Sequence, residues 1–540
     1  MDLLFRKTRA LAVVVLLVVG SLGVRSWGTV RITAATVLGP LALAGSGADT
    51  ILHGGTVLTM EDNQPVAEAL AVQGEKILAV GSNEQILTLK TDKTKVINLE
   101  GKTLVPAFVD AHTHVFNDAK KYLNKTLDEA QQLALENGIT TLANMYVGPT
   151  FMKEIQSFAQ QGKLRIRTSL YLVYNTPGGV VESYLGNWYK QYRPTRQPGE
   201  ILRIGGVKIY ADGGSVGKPA LSFGPSKGDL WLTQAQLDQI VADAQATGYQ
   251  VVIHAIGDRA TEQAQNAIQS ALAGKPNTPR HRIDHNVYIR PDLLPRYGQI
   301  GIVTTIFGNV PTSLINAGRF YWSLEQQTWF LAYRALLDTN PGLHVAWHSD
   351  YPWWGSIDPL KQLYSMVTHN EVARNGTIYP PPSWLATNTL SVQEAFPMMN
   401  IGAAYAIFRD EEVGSLKPGK FADLVVLSGN PLTVDSDAIK DIRVLLTMVG
   451  GRVEYMSSIE AFESSDAQAF AGSQSSIMIN LSGPTSILCM AIILPLHVKE
   501  ETVIVCATDG AHTHFSDFSK TTTETTRYYD IFNLGTHDIK

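Results

Sequence analysis

From residue 49 onward, short apolar runs alternate with turn residues at the two-residue period of a strand. Thr50-Ile51-Leu52-His53 and Thr56-Val57-Leu58-Thr59 flank a Gly-Gly turn, and Ala69 to Gly81 holds a second pair around Gly74-Glu75. No helical period interrupts them, so residues 49–105 predict the first part of a small β-sandwich. The rhythm then changes to strand and helix in alternation. Strands are expected over 105–114, 139–144, 166–172, 206–213, 250–254, 282–285, 301–306 and 344–350. Helices are expected over 127–137, 151–161, 233–247, 260–273 and 392–400. Eight strands with right-handed helical crossovers predict an α/β fold, a (βα)8 TIM barrel over residues 106–402. Residues 403–456 return to strands and tight turns and predict the second part of the sandwich, which makes that domain discontinuous. Past residue 457 Ser, Ala, Gln and Thr dominate, a C-terminal tail with no role assigned.

Length and composition narrow the classes. A chain of 540 residues has room for a large barrel and accessory parts. A net charge of -5 leaves no basic footprint for nucleic acid. Cys489 and Cys506 lie far from the candidate site and could pair in an oxidising compartment, but two thiolates are too few for a metal site. Arg6, Lys7 and Arg9 precede an apolar run over 11–19, and a second apolar stretch over 34–44 ends in small residues. This reads residues 1–48 as a signal peptide for export (secreted or periplasmic), or as an uncleaved membrane anchor.

The candidate chemistry lies at barrel strand ends, where the active sites of such barrels sit. The first strand ends in His112-Thr113-His114, and the two-residue period places both imidazoles on one face. The fourth carries Lys208 in an apolar run; the fifth ends in His254, the sixth in His285, the eighth in Asp350. Histidines and aspartate are ordinary ligands for a divalent metal. Each has a plainer alternative as a core histidine, a lysine paired with Asp212, or a turn-capping aspartate. Their joint placement at strand ends is what those alternatives leave unexplained. Tyr210, Asp258, His348 and Trp353 are candidate substrate contacts, with Trp347 and Trp354 nearby. Ala511-His512-Thr513-His514 repeats the Ala111 to His114 tetrapeptide without an apolar strand before it and is read as coincidence.

Six stretches taken together resemble the amidohydrolase superfamily, in particular its metal-dependent branch related to N-substituted formamide deformylase. They are Val105 to His114, Val207-Lys208-Ile209-Tyr210-Ala211-Asp212-Gly213, His254-Ala255-Ile256-Gly257-Asp258, Arg282-Ile283-Asp284-His285, Ser349-Asp350-Tyr351-Pro352, and Gly414 to Leu427. The resemblance implies that His112 and His114 bind one metal with Asp350, that His254 and His285 bind a second, and that a carboxylated Lys208 bridges them. By ligand type the cofactor is one or two zinc ions. Residues 115–127 are shorter than the insertion such chains carry there, which implies a more open site or a shifted specificity.

The expected activity is hydrolysis of a non-peptide carbon–nitrogen bond of amide type by metal-activated water, with Asp350 as the proton carrier. Two alternatives stay open: a hydrolase of an ester, lactone or carbamate using the same site, and a non-catalytic exported barrel protein. The expected partner is a small amide-type molecule, with a homo-oligomer left open and the membrane met only through an uncleaved anchor.

Overall fold

A computed structural model describes residues 47–457 except 215, 225–226 and 319–322, and beyond them only the backbone of three strands, Ile477–Asn480, Leu488–Leu496 and Lys499–Ala507. Those three form an antiparallel sheet whose register sets Cys489 opposite Cys506. The leader expected over 1–48, apart from its last two residues, and the repeat at 511–514 lie outside the described residues.

The first strands are β1 (Thr50–His53), β2 (Thr56–Leu58), β3 (Val66–Ala67), β4 (Ala69–Gln73), β5 (Lys76–Gly81), β6 (Lys95–Asn98) and β7 (Thr103–Pro106). The barrel strands are β8 (Phe108–Thr113), β9 (Ile139–Val147), β10 (Arg167–Val173), β11 (Leu202–Tyr210), β12 (Gln250–Ala255), β13 (Arg282–His285), β14 (Val303–Phe307) and β15 (Val345–His348). A hairpin of β16 (Glu371–Val372) and β17 (Ile378–Tyr379) follows, then β18 (Leu424–Leu427), β19 (Val444–Val449) and β20 (Arg452–Met456).

Strands β8 to β15 form one parallel sheet in chain order. Its two edges meet where the Asp350 N–H donates to the His112 carbonyl at 2.9 Å and the His114 N–H donates to the Tyr351 carbonyl at 2.8 Å. The eight-stranded barrel is thereby nearly closed, and the loop after β15 lies beside the end of β8. These strands are buried on both faces, which is why they read as near-continuous apolar runs. Capping boxes start the crossover helices Leu127–Glu136 and Gln234–Ala246: Thr126 with Glu129, and Thr233 with Gln236.

The sandwich has two sheets, β5-β4-β1-β6 and β20-β19-β18-β7-β2-β3. The larger mixes strands from before and after the barrel, with β7 paired to β18 through Val105↔Val425. One core holds Leu52, Leu70, Ile97 and Leu104 from the first flank with Leu424, Val426, Leu446 and Met448 from the second. Neither flank has enough apolar surface of its own to make that core. Arg167 on β10 joins the domains through a two-bond contact with Asp423, Nε to Oδ2 at 2.8 Å and Nη2 to Oδ1 at 3.0 Å.

The structure differs from the sequence expectation in several places; one is that Ile401–Ala406, part of it expected in the sandwich, is a helix packed on β8 and β15. The stretch 105–114 is two strands, not one. The sandwich pairing runs through Pro106 to the Ala107 N–H, which donates to the Asp423 carbonyl, and the chain then changes sheets, the Phe108 N–H donating to the Gly138 carbonyl. Between β14 and β15 run three short helices, Thr312–Asn316, Leu324–Gln327 and Tyr333–Thr339. Pro359–Thr368 supplies the helix after β15. The first three are too short to show a helical period in sequence.

Candidate metal centre

Strand β8 delivers two imidazoles to the barrel mouth, and the turn after β15 delivers a carboxylate to meet them. His112 Nε2 lies 3.3 Å from His114 Nε2, and Asp350 Oδ1 lies 3.3 Å and 3.2 Å from those two nitrogens. The His112 Nδ1 faces the Asp284 carboxylate, so its proton sits there and Nε2 presents a lone pair. Lone pairs this close repel unless a cation or proton stands between them. A tetrahedral site with metal–ligand distances near 2.0–2.1 Å has edges of about 3.3–3.4 Å, so the triangle has the size that a bound divalent ion requires.

The remaining expected ligands surround that triangle. The His254 and His285 ring centroids are 4.5 Å apart, and those of His285 and His112 are 4.7 Å apart. Lys208 Nζ, His254 Nε2 and both ring nitrogens of His285 are buried without a hydrogen-bond partner among the described residues. Buried polar atoms are normally paired, and a group of orphaned donors aimed at one space fits a metal centre. His285 and Asp350 also have left-handed backbones, φ 81° and 53°, uncommon for residues other than glycine.

Electrostatics suit the ligand forms. Burial, reinforced by Lys208, pushes His112 and His254 well below the ordinary imidazole range; burial and the neighbouring histidines do the same to His285. Burial works against charge on Asp350, but the contacts from His112 and His114 outweigh it and hold the carboxyl below its usual range. Burial lowers the Lys208 amine to about 8, although Asp284 and Asp350 favour its charge.

A layer behind these residues fixes them. Asp284 lies 2.5 Å from His112 Nδ1 and is held by Arg282, whose Nε is 2.9 Å from Oδ1. Asp110 accepts from the backbone N–H groups of His112 and Ser349 and from the Ser349 hydroxyl. Asp212 accepts from the backbone N–H groups of Ala220, Ile256 and Gly257, tying the loop after β11 to the end of β12. That network, not Lys208, occupies Asp212. None of these three aspartates stands out in the sequence as a positioning group.

The site opens into a cavity of about 460 Å³ lined by the five histidine and aspartate ligand candidates with Tyr146, Tyr210, Trp231 and Trp353. Tyr210 and Trp353 therefore lie where a substrate contact is expected, with Trp353 Nε1 donating to Asp118 Oδ2 at 2.7 Å. The short segment 115–127 shapes this wall directly: Asn117, Asp118, Lys121 and Tyr122 all line the cavity. Asp258 and His348 do not. Asp258 is wholly buried, accepting from the Ser222 N–H and pairing with Arg290 at 3.2 Å. His348 lies beneath the ligands, its ring 5.1 Å from His112 and 4.5 Å from Phe307. Position at a strand end does not reveal which way the following turn carries a side chain. Trp347 is also buried, donating to Gln362 Oε1, while Trp354 donates to the Asn309 carbonyl.

Comparison with known proteins agrees with this fold. Residues 116–455 match the amidohydrolase family. "Protein LONG AFTER FAR-RED 3" of Arabidopsis thaliana is 24% identical over 76% of this chain and 92% of its own. N-substituted formamide deformylase of Arthrobacter pascens is 24% identical over 47% of this chain and 46% of its own. Among solved structures, an uncharacterized metal-dependent hydrolase from Pyrococcus horikoshii OT3 superposes with a TM-score of 0.58 at 18% identity, over 72% of this chain and 99% of its own. Atrazine chlorohydrolase TrzN from Arthrobacter aurescens TC1, complexed with zinc, superposes with a TM-score of 0.53 at 16% identity, over 75% of this chain and 94% of its own. The match over more than half its length means that the chain belongs to the amidohydrolase family, metal-dependent hydrolases that act on carbon–nitrogen bonds.

Proposed function

We propose that this protein hydrolyses a non-peptide amide bond of a small molecule. His112, His114 and Asp350 would hold one divalent metal; His254 and His285 would hold a second, with Lys208 bridging as its carbamate. The observation that carries the reading is the triangle of donor atoms 3.2–3.3 Å apart at the end of β8. Lys208 supports the second position, because a buried amine with no hydrogen-bond partner is costly, whereas a carbamate would supply two anionic oxygens as ligands. Zinc is favoured by the histidine and carboxylate donors.

A divalent metal at this place supplies a Lewis acid that acidifies water and polarises a carbonyl. The chain's own part begins with Asp350. Its carboxylate faces the cavity, accepts the proton of the attacking water and returns it to the leaving nitrogen. Water oxygen adds to the carbonyl carbon, the C–N bond breaks, and an acid and an amine leave. Asp284 keeps the His112 proton on Nδ1, so that Nε2 stays a donor throughout. Tyr210, Tyr146 and Trp353 line the cavity beside the reacting bond.

The deciding experiment is a hydrolysis screen of N-acyl and N-formyl compounds, with esters, lactones and carbamates alongside, and metal content measured in parallel. Asp350→Asn is expected to lower kcat by about a hundredfold or more. Protein without stoichiometric metal, together with hydrolysis unchanged in Asp350→Asn, would sink the proposal. Export, or anchorage through residues 1–48, belongs to the same proposal and rests on the basic-then-apolar pattern there. Among the described residues no helix is long and apolar enough to cross a membrane. Cell fractionation of the full chain checks it.

A further inference from the structure

Resting on the amide reading, we propose that the substrate carries an apolar substituent on each side of the scissile bond, so that formamides are poor substrates. A second cavity, besides the one described above, reaches the candidate metal centre. It has a volume of about 380 Å³ and is lined by His254 and Asp350 as well, and both cavities share Gly214. The ligands thus stand at the junction of two lobes, each within the size range of small-molecule pockets.

The lobes differ in chemistry. The first mixes aromatic rings with Asp118 and Lys121. The second is walled by Ile256, Val287, Phe307, Leu314, Phe330 and Trp354, and apart from the two shared ligands its polar side chains are the Asn309 amide and the Tyr288 hydroxyl. A β-carbon at position 214 would stand 3.0 Å from Ile256 Cγ1 and 3.6 Å from His254 Nε2, so a side chain there would crowd the wall that the two lobes share.

An amide bond placed at the ligands projects its acyl substituent one way and its nitrogen substituent the other. A formamide has only hydrogen on the carbonyl carbon. It fills one lobe in either orientation and leaves the other to water. Apolar surface gains by leaving water, so a substrate filling both lobes gains binding that a formamide cannot. The second lobe suits a compact aryl or branched alkyl group. The first suits a longer group with a polar end, met by Asp118 or Lys121.

The test uses metal-loaded full-length protein and two matched series. One fixes the amine as benzylamine and varies the acyl group from formyl through acetyl to phenylacetyl. The other fixes phenylacetyl and varies the amine from ammonia through methylamine to benzylamine. We expect kcat/KM to rise by about tenfold to a hundredfold along each series, as burial of a phenyl group implies. Leu314→Trp, which fills the second lobe, is expected to cut that preference about tenfold in one series and not the other. Equal or better hydrolysis of the formyl compound, or an equal effect of Leu314→Trp on every substrate, overturns the proposal. Binding gives an independent readout through tryptophan fluorescence, since Trp231 and Trp353 line one lobe and Trp354 the other. Phenylacetate and benzylamine should bind together; mutual exclusion overturns the two-lobe reading. Hydrolysis of no amide at all would instead refute the amide reading, and the binding result alone then decides the lobes.

Discussion

His112 Nδ1 and Asp284 Oδ2 stand 2.5 Å apart, both side chains buried, although 172 residues separate them. Arg282 Nη2 lies 3.1 Å from the same carboxylate oxygen and donates to the Ala111 carbonyl at 2.6 Å, so it braces both partners. A carboxylate behind a metal-binding imidazole fixes the tautomer and raises ligand basicity. Asp284→Asn keeps the shape and removes the charge. Metal affinity in that variant is expected to fall by about tenfold to a hundredfold, read by competition with a chelator, while the circular dichroism spectrum stays that of the parent.

Lys208 makes a different prediction. Its amine is wholly buried without a hydrogen-bond partner, 4.8 Å over the Tyr210 ring, so Lys208→Met removes a buried polar group and leaves an apolar side chain of similar length. Thermal stability of the metal-free protein is expected to stay level or rise. Bound metal should drop by one equivalent per chain, and its dependence on added bicarbonate should vanish. A variant that keeps full metal content would show that Lys208 is no ligand.

The Arg167–Asp423 pair joins β10 to the sandwich, and the Arg167 guanidinium also lies 3.8 Å over the Phe421 ring. Asp423→Ala would leave a buried guanidinium without its counter-charge and the Gly450 N–H without its acceptor. The expected loss is about 3–5 kcal/mol, read as a lower denaturation midpoint. Metal affinity measured below that midpoint should not change, because no ligand moves.

Stability should also depend on pH through His281, away from the metal. Its Nδ1 accepts from the Val251 N–H at 3.0 Å, and Nε2 lies 3.0 Å from Gln245 Oε1. Burial, then the Arg196 charge, lowers its pKa to about 4 from 6.5. The folded state therefore favours neutral imidazole, and the unfolded chain takes up the proton first. The contribution is whole above pH 6.5, is lost as pH falls toward 4 and is flat below, on the order of 3 kcal/mol in all. Urea midpoints between pH 7 and 4 should fall less steeply in His281→Gln, which keeps a donor and an acceptor. An unchanged slope would remove His281 from the account.

Much of the candidate ligand set was legible because it depends on short-range rules. His112 and His114 share a face by the strand period alone, and Lys208 is conspicuous as a charge inside an apolar run. Asp284 and Asp110 were not legible. An aspartate near a strand end looks the same whether it binds a metal, braces a histidine or caps a turn. Asp258 shows the converse, since its place beside β12 suggested a substrate contact and the fold spent it on Ser222 and Arg290. His348 likewise points beneath the ligands, not into the cavity.

Periodicity determined the order of elements, the barrel and the donor types, because side-chain direction repeats locally every two residues in strands and near 3.6 in helices. Tertiary structure alone decided three things. It joined β7 to β18, because neither flank can bury its apolar face unaided. It closed the seam that brings Asp350 to His112, a contact made only when the barrel curls round. It also set two cavities against the candidate metal centre from loops such as those holding Gly214, Leu314 and Trp354, whose meeting no local pattern encodes.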